Sequence, residues 1–143
     1  MKWYSAHVIM FVELKNAVQK RYPVWENIFL IKADSEDEAF AKAEEHGRSE
    51  EGDCGGSFLW GGEPARWVFA GVRKLTECLP ADERPDDGTE VTYHELELTS
   101  REAVKDLAAG KPVRALLNDR FRDREDEAGD VGAEPKRGKR KRA

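Results

Sequence analysis

The chain has 143 residues, of which 39% are hydrophobic and 37% charged, with a formal net charge of −5. This length supports one domain with a real apolar core, so neither a disulfide nor a structural metal is needed to hold it. From residue 118 onward there are nine Lys/Arg and seven Asp/Glu, whereas the first 117 residues carry 15 and 22, an acidic body that argues against binding to phosphate backbones or anionic membranes.

In chain order, Trp3 to Leu14 reads as a strand, with Tyr4, Ala6, Val8, Met10, Val12 and Leu14 on one face at period two. The other face holds Trp3, Ser5, His7, Ile9, Phe11 and Glu13, apolar enough in the middle to expect cover on both sides. After a polar connection ending at Pro23, Val24 to Ala33 is a second strand, able to pair antiparallel with the first. Trp25, Asn27, Phe29 and Ile31 share one face, and Ile28 and Leu30 lie opposite.

The period then changes. Ser35 and Glu38 form a capping box, and Glu36, Asp37 and Glu38 put negative charge in the first turn, where the helix dipole favours it. Ala39, Phe40 and Ala43 make a narrow apolar stripe. A helix over Ser35–His46 is expected, with Gly47 as its left-handed stop.

"GRSEEGDCGG" is a turn-rich loop, Ser57 to Trp60 a short strand, and Arg66 to Leu75 a central strand. Within that strand Trp67, Phe69 and Leu75 fall on one face and Val68, Ala70 and Val72 on the other, with Gly71 as a bulge signal. "PADERPDDG" is an exposed linker, and Thr89 to Leu98 reads as a further strand. Ser100 caps a short helix to Ala109 that buries Val104 and Leu107, ended by Gly110 and Pro112. "VRALL", residues 113–117, fits a strand or a helix, with the strand preferred. The expected fold is α+β: a curved antiparallel sheet of five to six strands, one main helix packed on a face and a second short helix. Residues 1–117 form the single domain. Residues 118–143 form a disordered mixed-charge tail ending in a basic cluster, because dense charge with few apolar groups does not offset the entropy of ordering.

Four segments, "KWYSAHVIMFVEL", "WENIFLIKADSEDEAFAKAEEHG", "RWVFAGVRKLTEC" and "DDGTEVTYHEL", carry a family pattern. Their order and spacing resemble domain-of-unknown-function family 4288, small bacterial proteins with a W-Y-S start, a W-E pair, an S-x-x-E-A helix, a W-x-F-x-G-V strand and a D-G-T-E-V segment. The resemblance spans roughly residues 2 to 98. Asn27 and Ile28 stand where charged residues often follow W-E, and the basic tail is an addition. The resemblance implies a fold and a bacterial origin, and no activity.

The candidate chemistry is sparse. His7 and His94 sit in strands and, with Glu26, would form a metal or acid–base cluster if the strands bring them together. No HxH or HxxxH spacing fixes two of them on one face, so isolated strand histidines are the expectation. Cys54 in "GDCGG" has no base beside it, and Cys78 ends a strand. The glycine loops lack the lysine and helix start of a phosphate cradle. The large aromatics Trp3, Tyr4, Trp25, Trp60 and Trp67 are expected mainly to pack the core beneath the helix; Trp25 and Trp60 are the binding candidates, Trp60 being the one most exposed by its glycine-flanked position. Lys136, Arg137, Lys139, Arg140, Lys141 and Arg142 form a cationic stretch able to attract nucleic acid or an acidic protein weakly and without sequence preference.

The chain has no apolar run near the roughly 20 residues of a membrane span, and its start lacks a signal-peptide layout. A cytoplasmic protein with reduced thiols is expected, a Cys54–Cys78 disulfide being the lesser alternative. The leading functional expectation is a non-enzymatic protein-binding or accessory module with a protein partner, no membrane contact, no cofactor, no catalytic residues and no metal. The alternatives are a small metal-assisted hydrolase or nuclease-like enzyme using His7, Glu26 and His94, and a nonspecific nucleic-acid binder driven by the tail.

Overall fold

The structure is a computed structural model that describes residues 1–78 and 84–118. Its elements in chain order are β1 (Lys2–Leu14), β2 (Val24–Ala33), α1 (Glu36–Ser49), β3 (Leu59–Trp60), β4 (Glu63–Glu77), β5 (Leu96–Glu97), α2 (Arg101–Ala108) and β6 (Leu116–Leu117). The first four strands form an antiparallel sheet in the order β2-β1-β4-β3, and β5 pairs antiparallel with β6 in a separate small sheet. The α+β class and both helices thus match expectation, with the six strands divided four and two. The expected disordered tail lies outside the described residues, as does its basic cluster.

β1 is the centre of the sheet. Its even-numbered residues Tyr4, Ala6, Val8, Met10 and Val12 are all buried, as the period-two pattern requires. Pairing of Ala6 with Phe29 and Tyr4 with Ile31 brings the matching face of β2 alongside. α1 lies on this face. Ala39 and Ala43 sit in one cluster with Tyr4, Ala6, Ile31, Ala33, Val72 and Leu75, flanked by Phe29, Phe40 and Phe69. The alanines let the helix approach closely, and each large side chain removed from water contributes about 1.5–3 kcal/mol.

The start of α1 follows the capping logic with one shift. Ser35 Oγ accepts from Glu38 N at 3.1 Å, but the Glu38 carboxylate reaches back to Asp34 N at 3.0 Å rather than to Ser35. The expected stop at Gly47 is wrong. The helix continues through Ser49, and Gly47 is buried inside it. A Cβ at Gly47 would lie 2.3 Å from Phe69 Cδ2, so this glycine exists for close contact with β4 and not for a left-handed turn.

The expected faces of β4 hold for Trp67, Phe69 and Leu75 and fail for Val72. The ladder with β1 shifts between His7 and Val8 and again between Ile9 and Met10, leaving Arg73 and Ala70 as extra residues on β4. Each bulge resets the faces, which puts Val72 with Phe69 and Leu75 on the helix side.

Two further expectations are corrected. Only Leu96 and Glu97 of the Thr89–Leu98 segment belong to a strand; residues 89–95 run without a ladder. The Val91 and Tyr93 carbonyls meet side chains of the four-stranded sheet instead. Val104 and Leu107 of α2 are 52% and 39% exposed, and no residue of that helix is buried. In the 113–117 stretch the strand reading holds in short form, as β6. Among the described residues no helix is long and apolar enough to cross a membrane.

Candidate functional site

The odd-numbered face of β1 is closed by the segment around Val91–His94. Ser5 Oγ donates to Val91 O, and Cys78 Sγ lies 3.3 Å from the same hydroxyl. His7 Nε2 bonds Thr92 Oγ1. Lys74 Nζ donates to Tyr93 O at 2.7 Å and sits 3.5 Å from the centre of the Tyr93 ring. Ser5, His7 and Lys74 are at most 2% exposed, so this strap covers three polar side chains and supplies their partners. We call residues 89–95 the strap.

Beside it the three residues of the alternative cluster come together. β2 directs Glu26 to this face, β1 directs His7, and the strap brings His94. His7 Nδ1 is 3.4 Å from Glu26 Oε1, and His94 Nε2 is 3.4 Å from Glu26 Oε2. The two imidazoles meet edge to face at 5.4 Å. One ligand atom from each of the three residues lies within 4.8 Å of the others. The expectation of isolated histidines is therefore overturned, because the strap, rather than a strand spacing, carries His94 to Glu26.

Sequence reasoning missed the cations of this cluster. Arg73 Nε lies 3.3 Å from Glu26 Oε1, and Lys74 is buried next to His7. The signal was there: two charges in the apolar run "VFAGVRKL", two and three residues after Gly71, mark a local change of face. Burial lowers the His7 pKa below its ordinary 6.5, Glu26 pulls it back up, and Lys74 and His94 push it down further. His7 Nδ1 and Glu26 Oε1 are buried polar atoms without a hydrogen bond. This is a polar latch built around one carboxylate, with donor atoms that could also surround a cation.

The aromatic candidates form a second, separate region at the Trp25 end of β2. Trp25 and Trp60 are 39% and 40% exposed. The Trp25 ring meets Trp60 at 5.6 Å and Trp67 at 4.8 Å, both edge to face, and Phe58 stacks on Trp67 at 5.5 Å. The loop before β3 is pinned by Lys15 on Asp53 and by the Gly52–Trp67 bridge. The rings thus stand on a fixed base, with two edges in solvent.

A family model described as "Domain of unknown function (DUF4288)" matches residues 3–93. The chain belongs to this family. The DUF4288 match runs from β1 into the strap, so it includes His7, Glu26, Trp25, Trp60, Arg73 and Lys74 and stops one residue before His94. β5, α2 and β6 lie beyond the DUF4288 region. Neither the curated proteins nor the solved structures gave a match. Both cysteines of this DUF4288 chain are free, Cys54 exposed and Cys78 buried.

Proposed function

We propose that the protein is a non-enzymatic docking module that holds a protein partner on the Trp25–Trp60 patch. One observation carries this reading: two indole rings, each about two-fifths exposed, meet edge to face, and the Trp25 ring of the pair rests on Trp67, itself stacked on Phe58, instead of being folded away. Rigid aromatic rings bind with little loss of side-chain entropy and are frequent anchors of interfaces. The acidic excess of the first 117 residues favours a partner segment with an apolar anchor flanked by basic residues. The basic tail acts as a secondary, salt-sensitive tether to an acidic surface of the same assembly. Two free thiols, one of them exposed, suit a reducing compartment such as the bacterial cytoplasm.

The test is a photo-crosslinking residue, p-benzoylphenylalanine, at position 60 in the full chain, with a control at Val104. A discrete protein captured from an extract of the source cells at position 60 alone, and released by Trp25→Ala, supports the reading. Equal capture at both positions, or none, removes it.

The convergence of His7, Glu26 and His94 favours a second reading, a divalent-metal site with hydrolytic chemistry. Arg73 on Glu26 and Lys74 beside His7 oppose it, since they already neutralise the carboxylate. Equilibrium dialysis against Zn²⁺ decides: stoichiometric uptake that His94→Ala abolishes would establish the site, and no uptake at micromolar metal would eliminate it.

A further inference from the structure

β2 is an edge strand, paired with β1 on one side and with no strand on the other among the described residues. Its ladder fixes which backbone groups point outward. Val12 N donates to Pro23 O at 3.1 Å, and hydrogen-bonded pairs recur at every second residue of an antiparallel ladder. Trp25, Asn27, Phe29 and Ile31 therefore turn their amides and carbonyls to β1. Val24, Glu26, Ile28, Leu30 and Lys32 turn theirs outward. The bond from Lys42 Nζ to Lys32 O agrees with this assignment.

The outward residues are also apolar and exposed: Val24 is 55%, Ile28 42% and Leu30 46% exposed. From Asn27 to Ile31 the strand holds no charge, no proline and no glycine, so it lacks the usual protection of an edge. A groove runs along it, between Leu30 and Lys32 on the strand and Lys42, Glu45, His46 and Ser49 on α1.

We propose that two copies of the chain pair antiparallel through β2, centred on Phe29, joining two four-stranded sheets into one of eight. The strand is self-complementary in this register. Each outward Ile28 faces Leu30 of the second copy, and each Glu26 faces Lys32. Outward residues must pair with outward residues, so the register can shift only in steps of two. A shift one way sets Glu26 against Leu30, and a shift the other way sets it against Asp34. The centred register keeps two Ile28–Leu30 pairs where either shift leaves only one apolar pair, at about 0.2–1 kcal/mol for each cross-strand pair, and the exposed aliphatic side chains supply the drive. Lys42 hands Lys32 O to the amide of Glu26 in the second copy and keeps its own partner, the Glu38 carboxylate at 3.3 Å. At the axis the two Phe29 residues meet, each already stacked on its own His46 at 5.1 Å.

This inference is tested apart from the docking reading: Trp25 lies on β2, but its ring is on the α1 face with Trp60 and Trp67, and Leu30→Arg leaves both indoles in place. Sedimentation of the full chain at about 100 µM, where a micromolar dimer is saturated, should give twice the 16.2 kDa chain mass. Leu30→Arg, which alters a half-exposed side chain, should give the monomer with unchanged circular dichroism. In a Cys54→Ser background, an equimolar mixture of Ile28→Cys and Leu30→Cys chains should oxidise to the mixed dimer faster than either chain alone forms its own. A wild-type monomer, a dimer that survives Leu30→Arg, or no preference for the mixed disulfide overturns the proposal. In none of these cases does the capture at position 60 change, so the two readings fail separately.

Discussion

Gly47 shows how one residue can carry two opposite readings. After a capped helix, a glycine that follows the apolar stripe is the ordinary stop signal. Here it is a contact residue, with Phe69 occupying the space of its missing side chain. The two readings predict opposite outcomes for Gly47→Ala. At an unconstrained helix position the alanine would stabilise by up to about 1 kcal/mol. Against Phe69 it should destabilise by about 1–3 kcal/mol, as overpacking does, measured as a lower urea midpoint with an unchanged slope. Ser35 was legible because capping is a local interaction, whereas Gly47 depended on what β4 placed opposite it. The same holds for Arg73 and Lys74: their charge was visible in the sequence, but their faces depend on two bulges set by pairing with β1.

At the scale of elements, β1, β2 and α1 were readable because each has a clean hydrophobic period. The strap was not. "TEVTYHEL" alternates like a strand, yet Ser5 and Lys74 hold its Val91 and Tyr93 carbonyls and His7 holds its Thr92 hydroxyl, and side chains distant in sequence cannot be inferred from a period. The latch has a pH dependence whose sign follows from His7. Its folded pKa is lowered, so the folded state binds fewer protons than the unfolded chain. The stabilisation is complete above the ordinary value of 6.5 and is lost as pH falls from there through the folded value. Thermal stability should therefore drop as pH falls below about 6.5, and His7→Gln should flatten that slope. Amide exchange at residues 91–94, corrected for its intrinsic rate, should accelerate over the same range before that of α1. A strap that stays protected while α1 opens would show that His7 is not its latch.

At the scale of the whole molecule, the two faces of the sheet have different tasks. One is a core made with α1, and the other is a polar floor under the strap. The candidate site was legible in part: the sequence named His7, Glu26 and His94, and pointed to Trp60 as exposed, but not that His7 is buried beneath the strap while His94 closes over Glu26 from the solvent side. That division is a property of long-range packing. The central claim is that the protein works through its exposed rings, and that the histidine cluster is architecture. The most direct measurement compares Trp60→Ala with His94→Ala in binding to the protein captured at the patch, both variants first shown to fold. The account predicts a loss of affinity of about tenfold or more for Trp60→Ala and wild-type affinity for His94→Ala. Full binding by Trp60→Ala together with loss by His94→Ala would contradict it.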